Sequence, residues 1–205
     1  MIAIIDYGVG NLFSLQSSLK YIGQDAVVTA DPETIHGADR IILPGVGAYE
    51  DAARKLRDSG MAELVTEVAK AGKPLMGICL GMQLLLEKSF EYGEHEGLGL
   101  IKGSVVPIAD VAPADYKIPH IGWNALKFKG EKDPLFKYIK QGDCVYFVHS
   151  FYATDCEANT IAVTEYGAEL TAAVADGNVY GCQFHPEKSG NVGMKILKAF
   201  CEMEA

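Results

Sequence analysis

The sequence has little of several features that mark whole classes of protein. Its 205 residues include five cysteines, one tryptophan and five histidines; the cysteines show no CxxC spacing and the histidines no HExxH pair. We therefore expect neither a disulfide framework nor a clustered zinc site. No apolar stretch approaches the roughly 18 residues that a membrane span needs, so none is expected. No long run of like charges indicates a charged tail.

The charge balance is acidic, which limits the partners of the chain. Asp and Glu outnumber Lys and Arg by 27 to 18, giving a formal net charge of -9. Such a surface repels phosphate backbones, so we expect no nucleic-acid binding. The opening MIAIIDYG has no basic leader, and its apolar run ends at Asp6, which indicates a first strand rather than a signal peptide. We expect a cytoplasmic protein, and the length predicts a single domain over residues 1–205.

Strand and helix patterns alternate through the first half of the chain. The apolar runs that predict buried strands are IAIID, AVVTA, RIILPG and KPLMGIC. Helical spacing follows the first run up to Gly23, two helical stretches fill residues 48–71, and LGMQLLLEK begins a helix after the fourth run. Strands that alternate with helices predict a parallel sheet covered on both faces.

The second half is richer in strands. The strand candidates are GLIKGSVVPI, CVYFVHSFYA, TIAVTEY, LTAAVAD and VYGCQFHP, and GNVGMKILKAFCEM predicts a final helix. A Gly-Asn turn between the last two candidates predicts a hairpin. The predicted fold class is α/β, with a mixed, mostly parallel central sheet flanked by helices and with extra antiparallel strands.

One cysteine stands between two glycines at the end of the fourth predicted strand. Gly77, Cys79 and Gly81 have the spacing G-x-C-x-G, the cysteine form of the nucleophile elbow. An abrupt strand-to-helix turn leaves no room for side chains two positions either side, and it exposes the corner residue at the sheet edge. The following helix N-terminus favours a thiolate, and the N–H of Leu80 can stabilise an oxyanion. A lone cysteine is more often a small buried apolar residue, but the two glycines favour the nucleophile.

The segment QFHPEKS offers a base for this sulfur. Side chains at i and i+2 of an extended chain point the same way, so Glu187 can hydrogen-bond the imidazole of His185. Pro186 favours the extended conformation of the residue before it. Taken alone, the segment fits a surface turn equally well. His149 is the competing base, but no carboxylate lies two residues on, which favours a structural histidine with satisfied hydrogen bonds.

Together these motifs resemble the class I, triad-type glutamine amidotransferases over nearly the whole chain. GICLGMQ and QFHPEKS carry that resemblance, whereas DYGVGN, LPGVGAYEDA, PHIGWN and YFVHSFY resemble the glutaminase subunits of imidazole glycerol phosphate synthase. The resemblance implies hydrolysis of glutamine to glutamate and ammonia, in histidine biosynthesis. It also implies the catalytic triad Cys79, His185 and Glu187, a thioester on the cysteine, and no metal or organic cofactor.

The same resemblance implies a glutamine pocket. Its residues would be Gly45, Gly47, Leu80, Gln83, Ser150 and Phe151. The PGVG loop, residues 44–47, corresponds to the family's oxyanion strand, where glycine permits a peptide flip that presents a second N–H donor. Without the resemblance, Gln83 is a polar residue one turn along a helix, and two glycines after a strand fit a simple turn.

The resemblance finally implies a heterodimer with a cyclase subunit, a (βα)8 barrel that takes up the ammonia. The positions that match its interface are Asn11, Trp123, Tyr146 and Lys188. A core tryptophan, a helix N-cap at Asn11 and a solvated lysine are the alternatives at three of these positions. We expect the second oxyanion donor to be poorly placed until the barrel and its nucleotide bind, so the isolated chain should be a weak glutaminase.

Two other functions stay open. The elbow and H-P-E motifs do not separate this subunit from the amidotransferases of anthranilate, formylglycinamidine or pyridoxal phosphate synthesis, although the narrower segments do. The second is a noncatalytic binding subunit that keeps the fold. The intact Cys79, Gly77, Gly81, His185 and Glu187 argue against it.

Overall fold

Three sheets and six α-helices build the part of the chain that a computed structural model describes, residues 1–203. The strands are β1 (Ile2–Ile5), β2 (Ala26–Thr29), β3 (Arg40–Gly45), β4 (Leu75–Cys79), β5 (Lys88–Ser89), β6 (His95–Glu96), β7 (Ser104–Pro107), β8 (His120–Ala125), β9 (Lys127–Phe128), β10 (Cys144–His149), β11 (Phe151–Thr154), β12 (Thr160–Glu165), β13 (Glu169–Asp176) and β14 (Val179–Cys182). The helices are α1 (Leu12–Tyr21), α2 (Pro32–Gly37), α3 (Tyr49–Asp58), α4 (Met61–Lys70), α5 (Leu80–Leu85) and α6 (Gly190–Cys201).

The central sheet has eight strands in the order β2-β1-β3-β4-β14-β13-β12-β9. The five strands from β2 to β14 are parallel, and β13, β12 and β9 continue the sheet with antiparallel pairing. A two-stranded sheet (β10-β8) and a four-stranded sheet (β11-β7-β5-β6) lie outside it. The predicted α/β class, with a mixed sheet and extra antiparallel strands, is confirmed.

Alternate residues of the central strands pack into two hydrophobic cores, one on each face of the sheet. Ala3 and Ile5 of β1 belong to one core with α3 and α4, whereas Ile2 and Ile4 belong to the other with α1 and α6. Each buried isoleucine contributes about 1.5–3 kcal/mol relative to exposure. Helices on both faces follow from strands that are apolar on both faces.

The strand register brings three chain segments to one edge of the sheet. Gly45 of β3 stands beside Cys79 of β4, and Cys182 of β14 stands beside Ile78. The three strands are parallel, so the residues that follow them meet at their carboxyl ends, where open α/β sheets bind ligands. The elbow cysteine, the PGVG loop and the H-P-E segment are neighbours for this reason.

Three details differ from the sequence patterns. The run CVYFVHSFYA, predicted as one strand, is divided at Ser150 into β10 and β11, which pair in different sheets. The alternation of buried residues changes phase at the break, since Val145, Phe147 and His149 are buried before it and Tyr152 and Ala153 after it. The sequence itself is rich in strand-forming residues on both sides of Ser150, so it does not reveal the break. PHIGWN, for which no strand was predicted, contributes β8, and α2 was also missed. Among residues 1–203, no helix combines the length and apolar character that crossing a bilayer requires.

Candidate active site

The elbow turns at Cys79, where β4 ends and α5 begins. Cys79 has φ 55° and ψ -113°, a conformation that L-residues avoid unless the surrounding structure imposes it. A Cβ added at Gly81 would stand 2.0 Å from the Leu43 carbonyl oxygen, and one at Gly77 would stand 2.6 Å from the carbonyl oxygen of Gly81. The two glycines of G-x-C-x-G are therefore required by the close packing of this helix start on β3 and β4.

The H-P-E segment places a histidine–carboxylate pair beside the elbow. Nδ1 of His185 lies 2.8 Å from Oε1 of Glu187, and each side chain is only 3% exposed. The His185 backbone N–H donates to the Tyr146 carbonyl at 3.0 Å, which fixes the segment against β10. Since Nδ1 faces the carboxylate, Nε2 is the nitrogen left for the sulfur of Cys79.

The pKa of His185 is shifted in two directions by its surroundings. Burial lowers it, but hydrogen bonding to Cys79 and Glu187, together with their negative charges, outweighs burial and raises the pKa to about 9. An imidazole with such a pKa is protonated at neutral pH. The site therefore holds a cation next to its sulfur in the resting state, and that cation is an acid available to a leaving group.

The sulfur and the imidazole open into one cavity of about 330 Å³. Five of the six residues implied in glutamine binding line it: Gly47, Leu80, Gln83, Ser150 and Phe151. Gly45 does not. A Cβ at Gly45 would lie 2.5 Å from the backbone nitrogen of Gly81, so its glycine lets the elbow pack closely rather than forming the cavity wall.

Glu91 is a lining residue that sequence reasoning missed. Its side chain is 9% exposed, it accepts a hydrogen bond from the backbone N–H of Tyr49 at 3.1 Å, and burial raises its pKa. In the sequence it stands in KSFEYGEHEG among other acidic residues, and no spacing distinguishes it from them. Only the fold shows that this one carboxylate faces the cavity.

His149 also lines the cavity but is held in a buried pair. Its Nε2 lies 3.0 Å from Nδ1 of His120, and its Nδ1 lies 2.8 Å from the Phe151 carbonyl oxygen. His120 Nε2 lies 2.9 Å from the side-chain oxygen of Asn124. Burial lowers the pKa of both histidines. The hydrogen-bond partners agree with the expectation of a structural histidine.

The four residues implied in partner binding lie beside the cavity or on the far side of His185 from it. Trp123 on β8 is 55% exposed, so it is not a core tryptophan, and its ring meets that of Tyr146 edge to face at 6.1 Å. Lys188 is exposed at the cavity. Asn11 makes no capping hydrogen bond to α1; it lines a small cleft with His185, behind the imidazole.

The described residues hold no cluster of three His, Cys, Asp or Glu side chains arranged to ligate a metal. The five cysteines are all unpaired. The cavity itself offers a cysteine beside a charged imidazole, with an orienting carboxylate behind it. This is the arrangement of nucleophile, acid–base group and orienting group that acyl transfer requires.

Comparison with known proteins places this site in a family. The model of the class-I glutamine amidotransferases matches residues 3–203. Subunit HisH of imidazole glycerol phosphate synthase from Caldanaerobacter subterraneus subsp. tengcongensis is 54% identical over 99% of this chain and 98% of its own length. The HisH subunit from Lactococcus lactis is 50% identical over 98% of both chains.

Solved structures agree on the fold. A crystal structure of a glutamine amidotransferase superimposes with a TM-score of 0.76 at 20% identity, covering 98% of both chains. The structure of PurLQS from Thermotoga maritima gives a TM-score of 0.73 at 22% identity, over 98% of this chain and 96% of that one. The chain belongs to the class-I glutamine amidotransferase family, within the branch of the HisH subunits of imidazole glycerol phosphate synthase.

Proposed function

We propose that the chain hydrolyses glutamine to glutamate and ammonia through a thioester on Cys79, and that it supplies the ammonia to the cyclase subunit of imidazole glycerol phosphate synthase in histidine biosynthesis. The observation that carries the proposal is the placement of Cys79 and His185 at one cavity, with Glu187 hydrogen-bonded to the imidazole. The family membership and the names of the relatives support it.

Glutamine enters the cavity as a zwitterion, so its α-ammonium group needs a negative partner. Glu91 is the carboxylate of the lining, and its hydrogen bond from Tyr49 leaves it fixed in place. Gln83 uses its amide nitrogen for bonds to Phe151 and Gln183, so its side-chain oxygen is available to the substrate. These groups orient the side-chain amide of glutamine toward the sulfur.

The thiolate of Cys79 attacks the amide carbon, and the resulting tetrahedral oxyanion accepts a hydrogen bond from the N–H of Leu80. His185 then gives its Nε2 proton to the departing ammonia, while Glu187 holds Nδ1 and stabilises the imidazolium. Water, deprotonated by the neutral imidazole, hydrolyses the thioester. Each step uses a group of this chain, and the proton returns to His185.

A second oxyanion donor comes from the loop after β3. Gly47 lines the cavity and has φ +92°, a conformation that glycine adopts without steric cost and from which it can change more readily than other residues. Tyr7 holds the start of the loop by donating to the Pro44 carbonyl at 2.7 Å. The proposed activation is a rotation of the peptide at Gly47 when the partner binds. One missing oxyanion donor costs about 10²–10³ in rate, so the isolated chain is a weak glutaminase.

The partner docks over the cavity mouth, on a surface that we call the aromatic rim: Ile121, Trp123 and Tyr146, which share one face of the β8–β10 pair with the cavity residue Val148. Ile121 is 58% exposed and Trp123 55%. Exposed apolar side chains grouped beside an active site are typical of a protein interface. Docking there lets ammonia pass to the second active site without meeting the solvent that would protonate it.

The five cysteines are all free thiols. We therefore propose that the protein works in the reducing cytoplasm, where thiols stay reduced.

The test uses Cys79→Ala in the complex with the barrel subunit. Glutamine-dependent synthesis should disappear, while synthesis from added ammonia should stay within about twofold of wild type, because only the ammonia source is lost. Equal loss of both activities would mean that Cys79 supports assembly instead of amide cleavage. Strong glutaminase turnover by the isolated chain, unchanged by the barrel subunit and its nucleotide, would reject the activation step.

A further inference from the structure

Gln183 is a buried polar side chain that the catalytic scheme above does not use. It follows β14 directly and stands two residues before His185, in the bend between that strand and the H-P-E segment. Gln183 is fully buried, and its Nε2 lies 3.8 Å from the sulfur of Cys79. Its Oε1 lies 2.9 Å from Nε2 of Gln83. A polar side chain with no exposure is retained only where its hydrogen bonds are made.

The direction of these hydrogen bonds is fixed by one backbone group. The carbonyl oxygen of Phe151 only accepts, so the Gln83 atom 3.1 Å away from it is the amide nitrogen. That nitrogen has a second hydrogen, which is directed to Gln183, so the Gln183 atom facing it is the oxygen. The remaining amide group of Gln183 is then its nitrogen, and it presents an N–H to Cys79.

We propose that Gln183 is a further catalytic residue, which donates a hydrogen bond to the Cys79 thiolate and is oriented for this by Gln83 and the Phe151 carbonyl. The proposal rests on the glutaminase function proposed above. Gln183 transfers no proton: the thiol proton goes to Nε2 of His185, and the amide N–H remains bonded to its nitrogen throughout.

The physical effect is a preference for the charged form of the sulfur. A hydrogen bond to an ionised acceptor is about twice as strong as one between neutral groups, so the amide favours the thiolate over the thiol. His185 and Gln183, two residues apart in the chain after β14, both make hydrogen bonds with the sulfur. The amide also stays neutral throughout, so it can donate to the sulfur again when water cleaves the thioester and the thiolate leaves.

The experiment compares Gln183→Met with wild type, because methionine has similar length and offers no N–H. Cys144 is exposed, so Cys144→Ser is the common background, and mass spectrometry follows alkylation of Cys79 by iodoacetamide. A lost charge-assisted hydrogen bond corresponds to a factor of about 10 or more, so alkylation should slow about tenfold on the acidic limb of its pH–rate profile, where the sulfur is still largely thiol. Gln141→Met, at an exposed position, is the matched control and should alkylate at the wild-type rate.

A second variant tests the orientation step. Gln83→Met removes the amide that holds Oε1 of Gln183, so alkylation of Cys79 should slow in this variant too. A folded Gln183→Met that alkylates at the wild-type rate overturns the proposal, and an unchanged rate in Gln83→Met overturns the orientation step. If the wild-type protein hydrolyses no glutamine but its alkylation still depends on Gln183, the proposed glutaminase function is rejected, whereas the proposed hydrogen bond from Gln183 to Cys79 is retained.

If Gln183→Met does not fold, a second measurement still tests the proposal. The side-chain amide protons of Gln183 can be observed by NMR in the wild-type sequence and in Cys79→Ala. If the amide donates to sulfur, its proton resonances should shift when the sulfur is removed, whereas the exposed amide of Gln141 should not shift. Identical Gln183 resonances in the two proteins would overturn the proposal without any substitution at Gln183.

Discussion

Gly81 packs directly on the backbone of Leu43, so closely that a Cβ on Gly81 would stand 2.0 Å from the Leu43 carbonyl oxygen. The contact joins the first turn of α5 to β3, and it holds Cys79 at the sheet edge. Because the obstructing atom belongs to the backbone of a central strand, it has little freedom to move aside.

Gly81→Ala should therefore destabilise the protein by at least about 2 kcal/mol, as overpacking in a tightly packed region does. The change in the free energy of unfolding is measured by urea denaturation, with circular dichroism as the signal. Gly37→Ala is the matched control, since a Cβ at Gly37 meets no atom within 4 Å and should leave the midpoint nearly unchanged. Equal midpoints for the two variants would mean that the elbow tolerates a side chain at Gly81.

The elbow illustrates what the sequence can predict. Gly77, Cys79 and Gly81 are predictable together because one backbone turn imposes all three residues. The contact between His185 and Glu187 was also predicted, but its predicted geometry was wrong: His185 is extended, whereas Pro186–Lys188 form a 3-10 turn that brings Glu187 to Nδ1. The strand register that unites these segments follows from parallel pairing. The α/β class was predictable because apolar runs and helical periods alternate along the first half of the chain.

Other parts could not be predicted because they depend on contacts distant in sequence. Glu91 reaches the cavity only after β5 and the loop beyond it are placed, and nothing separates it locally from the nearby acids. Gln183 differs from a surface glutamine only through its contacts with Cys79 and Gln83, about a hundred residues away. The division at Ser150 falls inside CVYFVHSFYA, which is rich in strand-forming residues on both sides of the break, so no local signal marks it.

His185 should titrate with a pKa near 9, well above its ordinary value of 6.5. NMR of the imidazole Cε1–H over pH 5–10 measures this directly. Cys79→Ala removes the hydrogen bond and negative charge of the sulfur, so the pKa of His185 should fall in that variant, while Glu187 still raises it. A pKa at or below 6.5 in the wild-type protein would contradict the charged resting state.

The same shift links the stability of the fold to pH. Because folding raises the pKa of His185, the folded state holds the proton more tightly than the unfolded state. The contribution is fully present below pH 6.5 and is lost as pH rises through about 9. A shift of this size corresponds to about 3 kcal/mol at most. The free energy of unfolding should therefore decline across this window, and less steeply in Cys79→Ala.

Glu91→Gln should raise KM for glutamine about 10–100-fold, the effect of losing a hydrogen bond between charged groups. The kcat should change far less, because the α-ammonium group is remote from the amide that reacts. Steady-state glutaminase kinetics in the assembled complex separate the two constants. Glu94→Gln, in the same segment but exposed, is the control and should keep the wild-type KM. A fall in kcat at constant KM would place Glu91 in the chemical step instead.

Trp123→Ala should weaken binding of the barrel subunit by about 2 kcal/mol, or roughly 30-fold in Kd, as truncation of a central aromatic anchor does. The indole is 55% exposed in the chain alone, so the variant should unfold at nearly the wild-type urea concentration. Calorimetric titration of the barrel subunit measures the Kd. Tyr21→Ala is the matched control: Tyr21 is 80% exposed, but it ends α1 at the edge of the sheet opposite the cavity. If both variants bind with the wild-type Kd, the aromatic rim is not the docking surface; if both bind weakly, the contact extends to the opposite edge of the sheet.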